Sequence, residues 1–214
     1  MALSIVVKVV EWDHRLGQRL MKDISEFQNL ISKLNEIPIP YCKGFKRAPF
    51  DVKQAMLNTM IEYSFNQMGW ESEPYIDINK DRKTSQQADF SIKTKCGLRI
   101  LVEVEFGYSA SAFRDLYKFN LAYSKNTYDC AIFIVPMKEL QKRIDVTPTY
   151  EKMIRYLTEA RDSINLPLVL IGLGFDGKEI DLLTVVDDVG FWKSYKKSDF
   201  REIIQEFPQF RFGE

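Results

Sequence analysis

The stretch 98-LRILVEVEF-106 decides how this chain is read. As a strand it turns Arg99, Leu101, Glu103 and Glu105 to one face and Ile100, Val102, Val104 and Phe106 to the other. Carboxylates two positions apart on one strand face lie about 6 to 7 Å from each other. In a partly buried setting their repulsion costs on the order of a few kcal/mol. No lysine follows on the strand to neutralise Glu103 and Glu105, so a cation is wanted beside them. The preceding segment, 88-ADFSIKTK-95, reads as a partner strand joined through Cys96-Gly97. A three-residue turn, Lys95-Cys96-Gly97 with Gly97 left-handed, pairs Thr94 with Leu98 and sets Asp89 opposite Glu103 on the same face. A two-residue turn sets Asp89 opposite Val104, on the wrong face unless a bulge intervenes. The odd-numbered turn or a bulge is therefore expected, and three hard carboxylates with open positions for water and phosphate suit magnesium. A half-exposed strand with no function also alternates apolar and charged residues. What favours a site is context: the acids follow an apolar run in the middle of the chain, and a helix starts just after them.

Working outward, the N-terminal residues predict a strand over 4–10 and an amphipathic helix over 15–34, followed by a break at 37-IPIPYCKGFKRAP-49. A helix over 51–68 is expected, capped by Asp51 with Gln54 in capping-box spacing and ended by Gly69. Then come a strand over 73–78, a polar loop, the two strands of the hairpin, and a helix over 110–124 opened by Ser109, with Phe113, Leu116, Tyr117 and Leu121 facing a core. The run 130-CAIFIVP-136 reads as a strand covered on both faces. A helix from Thr147-Pro148 to about Ile164 and strands over 167–172 and 180–186 complete the pattern. This order predicts an α/β fold, a mixed β-sheet with helices on both faces, in a single domain over 1–214. The run 172-GLGFDG-177 matches a dinucleotide fingerprint in spacing but is followed by strand-like residues, so it reads as a hairpin turn, and no nucleotide cofactor is expected.

Composition removes several alternatives. A single histidine, His14, excludes chemistries that need two or more imidazoles, and three scattered cysteines form neither a disulfide framework nor a zinc-binding CxxC pair. Thirty basic residues balance thirty acidic ones, so no whole-protein field draws the chain to nucleic acid. No apolar run reaches the roughly 18 residues needed to span a bilayer. With no convincing signal peptide, no membrane partner and a cytoplasmic location are expected.

Asp89 followed by 102-VEVEFGYS-109 resembles the PD-(D/E)xK nuclease signature. More closely, 102-VEVEFGYSASAFRDLYKF-119, 135-VPMKEL-140, 149-TYEKMI-154 and 167-PLVLIG-172 resemble the BglII/BstYI group of type II restriction endonucleases, over roughly Pro49 to Gly172. The resemblance implies a restriction-endonuclease-like sheet, Mg2+-dependent hydrolysis of double-stranded DNA to 5′-phosphate ends, a homodimer and a palindromic site, with a GATC core among close relatives. It assigns Asp89, Glu103 and the carbonyl of Val104 to the metal and Glu105 to the third catalytic position. There the sequence departs from the glutamine of close relatives and the lysine of the wider superfamily, leaving open whether Glu105 is base or second ligand. For DNA it points to Thr147, Thr149 and Tyr150 at base edges and to Tyr108, Arg114 and Lys118 near backbone phosphate. Thr147 is also an ordinary helix cap, Tyr150 an ordinary core residue, and Arg114 with Lys118 an ordinary solvated i,i+4 pair. Glu62 is a candidate auxiliary acid or a plain helix-surface residue. A structure-selective nuclease of repair or junction resolution, and a catalytically inactive DNA-binding module, are the competing readings.

Overall fold

A computed structural model describes residues 7–77, 85–145, 147–174, 178–196 and 200–210. Its main sheet is built around β4 (Phe90–Lys93), β5 (Arg99–Val104), β6 (Cys130–Pro136) and β7 (Leu168–Leu173), flanked by β1 (Val7–His14) and β3 (Glu71–Ser72) in the order β1-β7-β6-β5-β4-β3. β5, β6 and β7 run parallel, while β1, β4 and β3 join antiparallel, so the sheet is mixed as the sequence predicted. All seven residues of β6 are buried, in keeping with a central parallel strand covered on both faces.

Alternation along the strands divides the core in two. Ile100, Val102, Ile132, Ile134, Val169 and Ile171 pack toward α2 (Ser25–Glu36) and α3 (Gln54–Gln67). Leu101, Ala131, Phe133, Val135, Leu168 and Leu170 pack toward α4 (Ser109–Ser124) and α6 (Tyr150–Glu159). Odd-numbered β5 residues therefore face α4, and that places Glu103 and Glu105 on the α4 side. No helix among the described residues is long and apolar enough to cross a membrane.

Several elements differ from the sequence expectation, each for a local reason. The N-terminal strand runs on to His14 through a bulge between Val9 and Asp13, and residues 4–6 lie outside the described residues. The single helix expected over 15–34 is two, α1 (Gly17–Met21) and α2, because the backbone leaves the helical conformation at Ile24, which is extended at φ −89° and ψ 125°. Asp51 does not cap α3; both its carboxylate oxygens accept from Arg143, at 2.7 and 2.9 Å, and the helix begins at Gln54. Within the strand expected over 73–78 the described residues make only a bridge between Tyr75 and Gln87, the strand β3 lying just before it, and most of the polar loop after it lies outside the described residues. The basic run 138-KELQKR-143 folds as α5 (Lys138–Ile144), burying Leu140 and Ile144. The helix expected from Thr147 starts at Tyr150, with Thr149 as its cap. β8 (Glu179–Asp181) does not join the main sheet but pairs in parallel with β2 (Ile39–Tyr41), and part of the expected hairpin turn, 175–177, lies outside the described residues. Two C-terminal helices, α7 (Val189–Ser194) and α8 (Phe200–Glu206), follow, and Trp192 of α7 is fully buried against the α3 layer.

Candidate active site at the opened hairpin

The β4–β5 hairpin closes through the three-residue turn. Thr94 N–H donates to Leu98 O at 2.9 Å, and Gly97 has φ of 91°, a left-handed conformation that suits glycine. Phe90 pairs with Val102, so the same register carries Asp89 opposite Glu103. Just there the ladder opens. Ala88, which the register sets against Val104, donates instead to Pro74 O at 3.0 Å, and the Val104 N–H donates to Asp89 Oδ2 at 2.7 Å. Asp89 thus takes the place of the next ladder bond, and the Val104 carbonyl is left without its ladder donor.

On the other side of the opening, α4 presents two charged residues to the acids of β5. Lys118 Nζ lies 2.9 Å from Glu103 Oε1, 3.0 Å from Oε2 and 3.0 Å from Asp115 Oδ1. These three side chains belong to the interior: Glu103 is 1% exposed, Asp115 3% and Lys118 6%. Burial, then Asp115 and Asp89, push the Glu103 carboxyl up to about 9 against the pull of Lys118. Burial likewise raises Asp115, while Lys118 is held above its ordinary value because Glu103 and Asp115 outweigh its desolvation. These directions agree once charges are counted: one ammonium cannot neutralise Asp89, Glu103, Glu105 and Asp115 together. Arg99, on the same strand face, is engaged by Asp129 at 2.7 Å, and Arg114 is an exposed side chain 3.9 Å from Asp115.

Glu105 is buried just beyond the end of β5 and folds back so that its Oε1 accepts from the Gly107 N–H. Burial pushes its carboxyl up to about 7, with Asp115 and Asp89 adding to the rise and the Gly107 bond opposing it. Gly107 leaves room for this fold-back, since a Cβ there would stand 2.8 Å from Glu105 Oε1 and the carboxylate would have to shift.

Between α3 and the opening lies a cavity of about 30 Å³ lined by Asn58, Ile61, Asp89, Phe90 and Val104. The buried amide oxygen of Asn58 has no hydrogen-bond partner among the described residues. Asn58 was not singled out in the sequence, where an asparagine inside a helix gives no signal. Glu62, one turn further along α3, is half-buried and does not line the cavity. Among the described residues no three acid, histidine or cysteine side chains converge as a filled metal shell would require. The donor chemistry nevertheless fits a hard divalent cation: excess negative charge, a carbonyl without its ladder partner, and an unsatisfied amide oxygen beside a space large enough for a water or an ion.

The family model described as "Restriction endonuclease BglII/BglIII" matches residues 9–173. This chain belongs to that family. Asn58, Asp89, Glu103, Glu105, Asp115 and Lys118 all fall within the matched stretch, whereas β8, α7 and α8 lie beyond it. Among solved structures the chain is similar to restriction endonuclease BglII complexed with a DNA 16-mer, at 15% identity, covering 81% of this chain and 78% of that one, with a TM-score of 0.62. It is also similar to free BglII, at 15% identity over 81% and 79% of the two chains, with a TM-score of 0.55. These likenesses show a shared BglII fold. No curated protein matches the sequence.

Within this BglII-type fold the residues expected near DNA separate into two groups. Tyr108, 72% exposed at the head of α4, and the exposed Arg114 stand on the surface beside the acids. Lys118 does not form a solvated stripe with Arg114; it turns inward to Glu103 and Asp115. Thr147, Thr149 and Tyr150, expected at base edges, are buried. Thr149 caps α6 by accepting from Lys152 N, and Tyr150 packs on Gly172, where an added Cβ would stand 3.1 Å from its ring. Phe113 and Tyr117, expected in the core, are more than half exposed, since α4 buries Ala112, Leu116, Phe119 and Ala122 instead.

Proposed function

We propose that this restriction endonuclease is a type II enzyme that uses magnesium to hydrolyse phosphodiesters of double-stranded DNA, acting as a homodimer on a two-fold symmetric site with one active site per strand. The observation that carries the proposal is the buried ammonium paired with Glu103 and Asp115 where the β4–β5 hairpin opens, with Asp89 acting electrostatically on Glu103, in a chain of this family. Asp89, Glu103 and the Val104 carbonyl would hold the ion, with the Asn58 amide oxygen beside them. When bound, magnesium supplies a more acidic water and offsets charge on the phosphate. Glu105, its carboxyl raised to about 7 and tied to the Gly107 amide, is suited to take the proton of the attacking water near neutral pH. Attack in line with the leaving 3′ oxygen gives 5′-phosphate and 3′-hydroxyl ends.

Tyr108 and Arg114 flank this opening and are assigned to backbone phosphate. The exposed Phe113 and Tyr117, with Phe113 against Tyr156 of α6 at a ring separation of 5.4 Å, form an outward aromatic face suited to the second protomer. A GATC core and a cytoplasmic location complete the proposal. Digestion of plasmid DNA with and without magnesium tests it. Discrete fragments whose sequenced ends share one palindrome are expected. Cutting confined to branched DNA would instead indicate a structure-selective nuclease, and salt-sensitive binding without cutting an inactive module.

A further inference from the structure

We propose that Lys118, clamped by Asp115, is a positioning residue for Glu103. It is a built-in counter-cation that orients the Glu103 carboxylate and against which a divalent ion must load, so that loading is weak until a phosphodiester brings its own negative charge. This inference rests on the nuclease reading of the same site. Its basis is geometric. The Lys118 ammonium donates to Glu103 Oε2 at 3.0 Å, and Glu103 Oε1 and Asp115 Oδ1 lie beside it as ion-pair partners at 2.9 and 3.0 Å. The cation is thereby paired inside the protein, 6% exposed, rather than presented to a DNA phosphate. Asp115 and Lys118 stand at i,i+3 on α4, so the helix backbone fixes their spacing and presents them together to β5.

A structural ion pair explains this placement poorly. Burying three charged side chains costs several kcal/mol per ion, and well-packed apolar residues at such positions are commonly as stable or more so. Nor does the strand offer these acids another cation, because Arg99 is engaged by Asp129 at 2.7 Å and a glutamate, Glu105, stands two residues beyond Glu103. An ammonium in contact with Glu103 lowers the negative potential felt by an incoming divalent ion and competes with it for the carboxylate oxygens. The negative phosphodiester has the opposite effect, and metal loading and DNA binding are coupled through Lys118.

Titration of the full-length protein with Mn2+ alone, without DNA, followed by the electron paramagnetic resonance signal of free Mn2+, tests this. Lys118→Met removes the charge at nearly constant length and is expected to tighten Mn2+ binding by about tenfold or more. Lys118→Arg, which keeps the charge, should stay within about threefold of wild type. Lys118→Gln takes the place of the methionine variant should that protein not fold, with the same expected tightening. Mn2+ affinity of the uncharged variant within twofold of wild type, weaker than wild type, or undetectable in both would overturn the proposal. The titration involves no cleavage. Failure of the wild type to cut DNA would sink the nuclease reading, while these affinities decide the role of Lys118 separately.

Discussion

Glu103→Gln should make the metal-free protein progressively more stable than wild type as the pH rises. The glutamate carboxyl sits at about 9 in the folded chain against its ordinary 4.5, chiefly through burial and through Asp115 and Asp89. A folded-state value above the unfolded one means that the contribution of this group is fully present below pH 4.5 and is lost as the pH climbs toward 9. Between pH 5 and 8 the folded chain holds a larger share of this proton than the unfolded chain does. One proton of difference corresponds to about 1.4 kcal/mol for each pH unit. The glutamine keeps a carbonyl oxygen for the Lys118 ammonium and has no proton to lose. Urea unfolding in EDTA at pH 5, 6, 7 and 8 should therefore show the stability gap between variant and wild type widening by at most about 1.4 kcal/mol per unit. Saturating magnesium should narrow or reverse the wild-type slope, because the ion binds the ionised carboxylate. A gap that stays constant across this range would refute the argument that burial, Asp115 and Asp89 raise the Glu103 carboxyl.

Further outcomes follow from other parts of the molecule. Glu103→Ala should abolish cleavage while gel-shift binding of cognate DNA survives, and full activity would remove Glu103 from the mechanism. Gly107→Ala should displace the Glu105 carboxylate, whose Oε1 would meet the new Cβ at 2.8 Å, and lower cleavage about a hundredfold. Because the clashing atom ends a flexible side chain, the melting temperature should barely move; an unchanged rate would show that the position of Glu105 is irrelevant. Thr149→Ala deletes the α6 cap and should cost about 1 kcal/mol in denaturant unfolding without altering cleavage specificity. The double substitution Phe113→Glu with Tyr117→Glu should give monomers in sedimentation, and an unaltered dimer would move the interface elsewhere.

The hairpin was legible because its determinants are local. A glycine at the one position needing positive φ, together with strict alternation on both sides, allowed a single register that kept Asp89 with Glu103. The rotation of α4 was not legible: Phe113, Leu116, Tyr117 and Leu121 are spaced as well for a buried face as Ala112, Leu116, Phe119 and Ala122. Only packing against β5 and β6 chooses between them, and the same choice turns Asp115 and Lys118 inward. A pair of opposite charges three residues apart reads from sequence as a solvated stripe. Asn58 and α5 were hidden for related reasons, since an amide within a helix and a run dominated by charged residues carry no periodic signal of their own.

The most direct test of the account is to locate Mn2+ by anomalous scattering in crystals of the protein with uncleaved duplex DNA. The ion is predicted between Asp89, Glu103 and the Val104 carbonyl, at the end of β5 where the hairpin opens. An ion bound elsewhere, with these three groups unliganded, would contradict it.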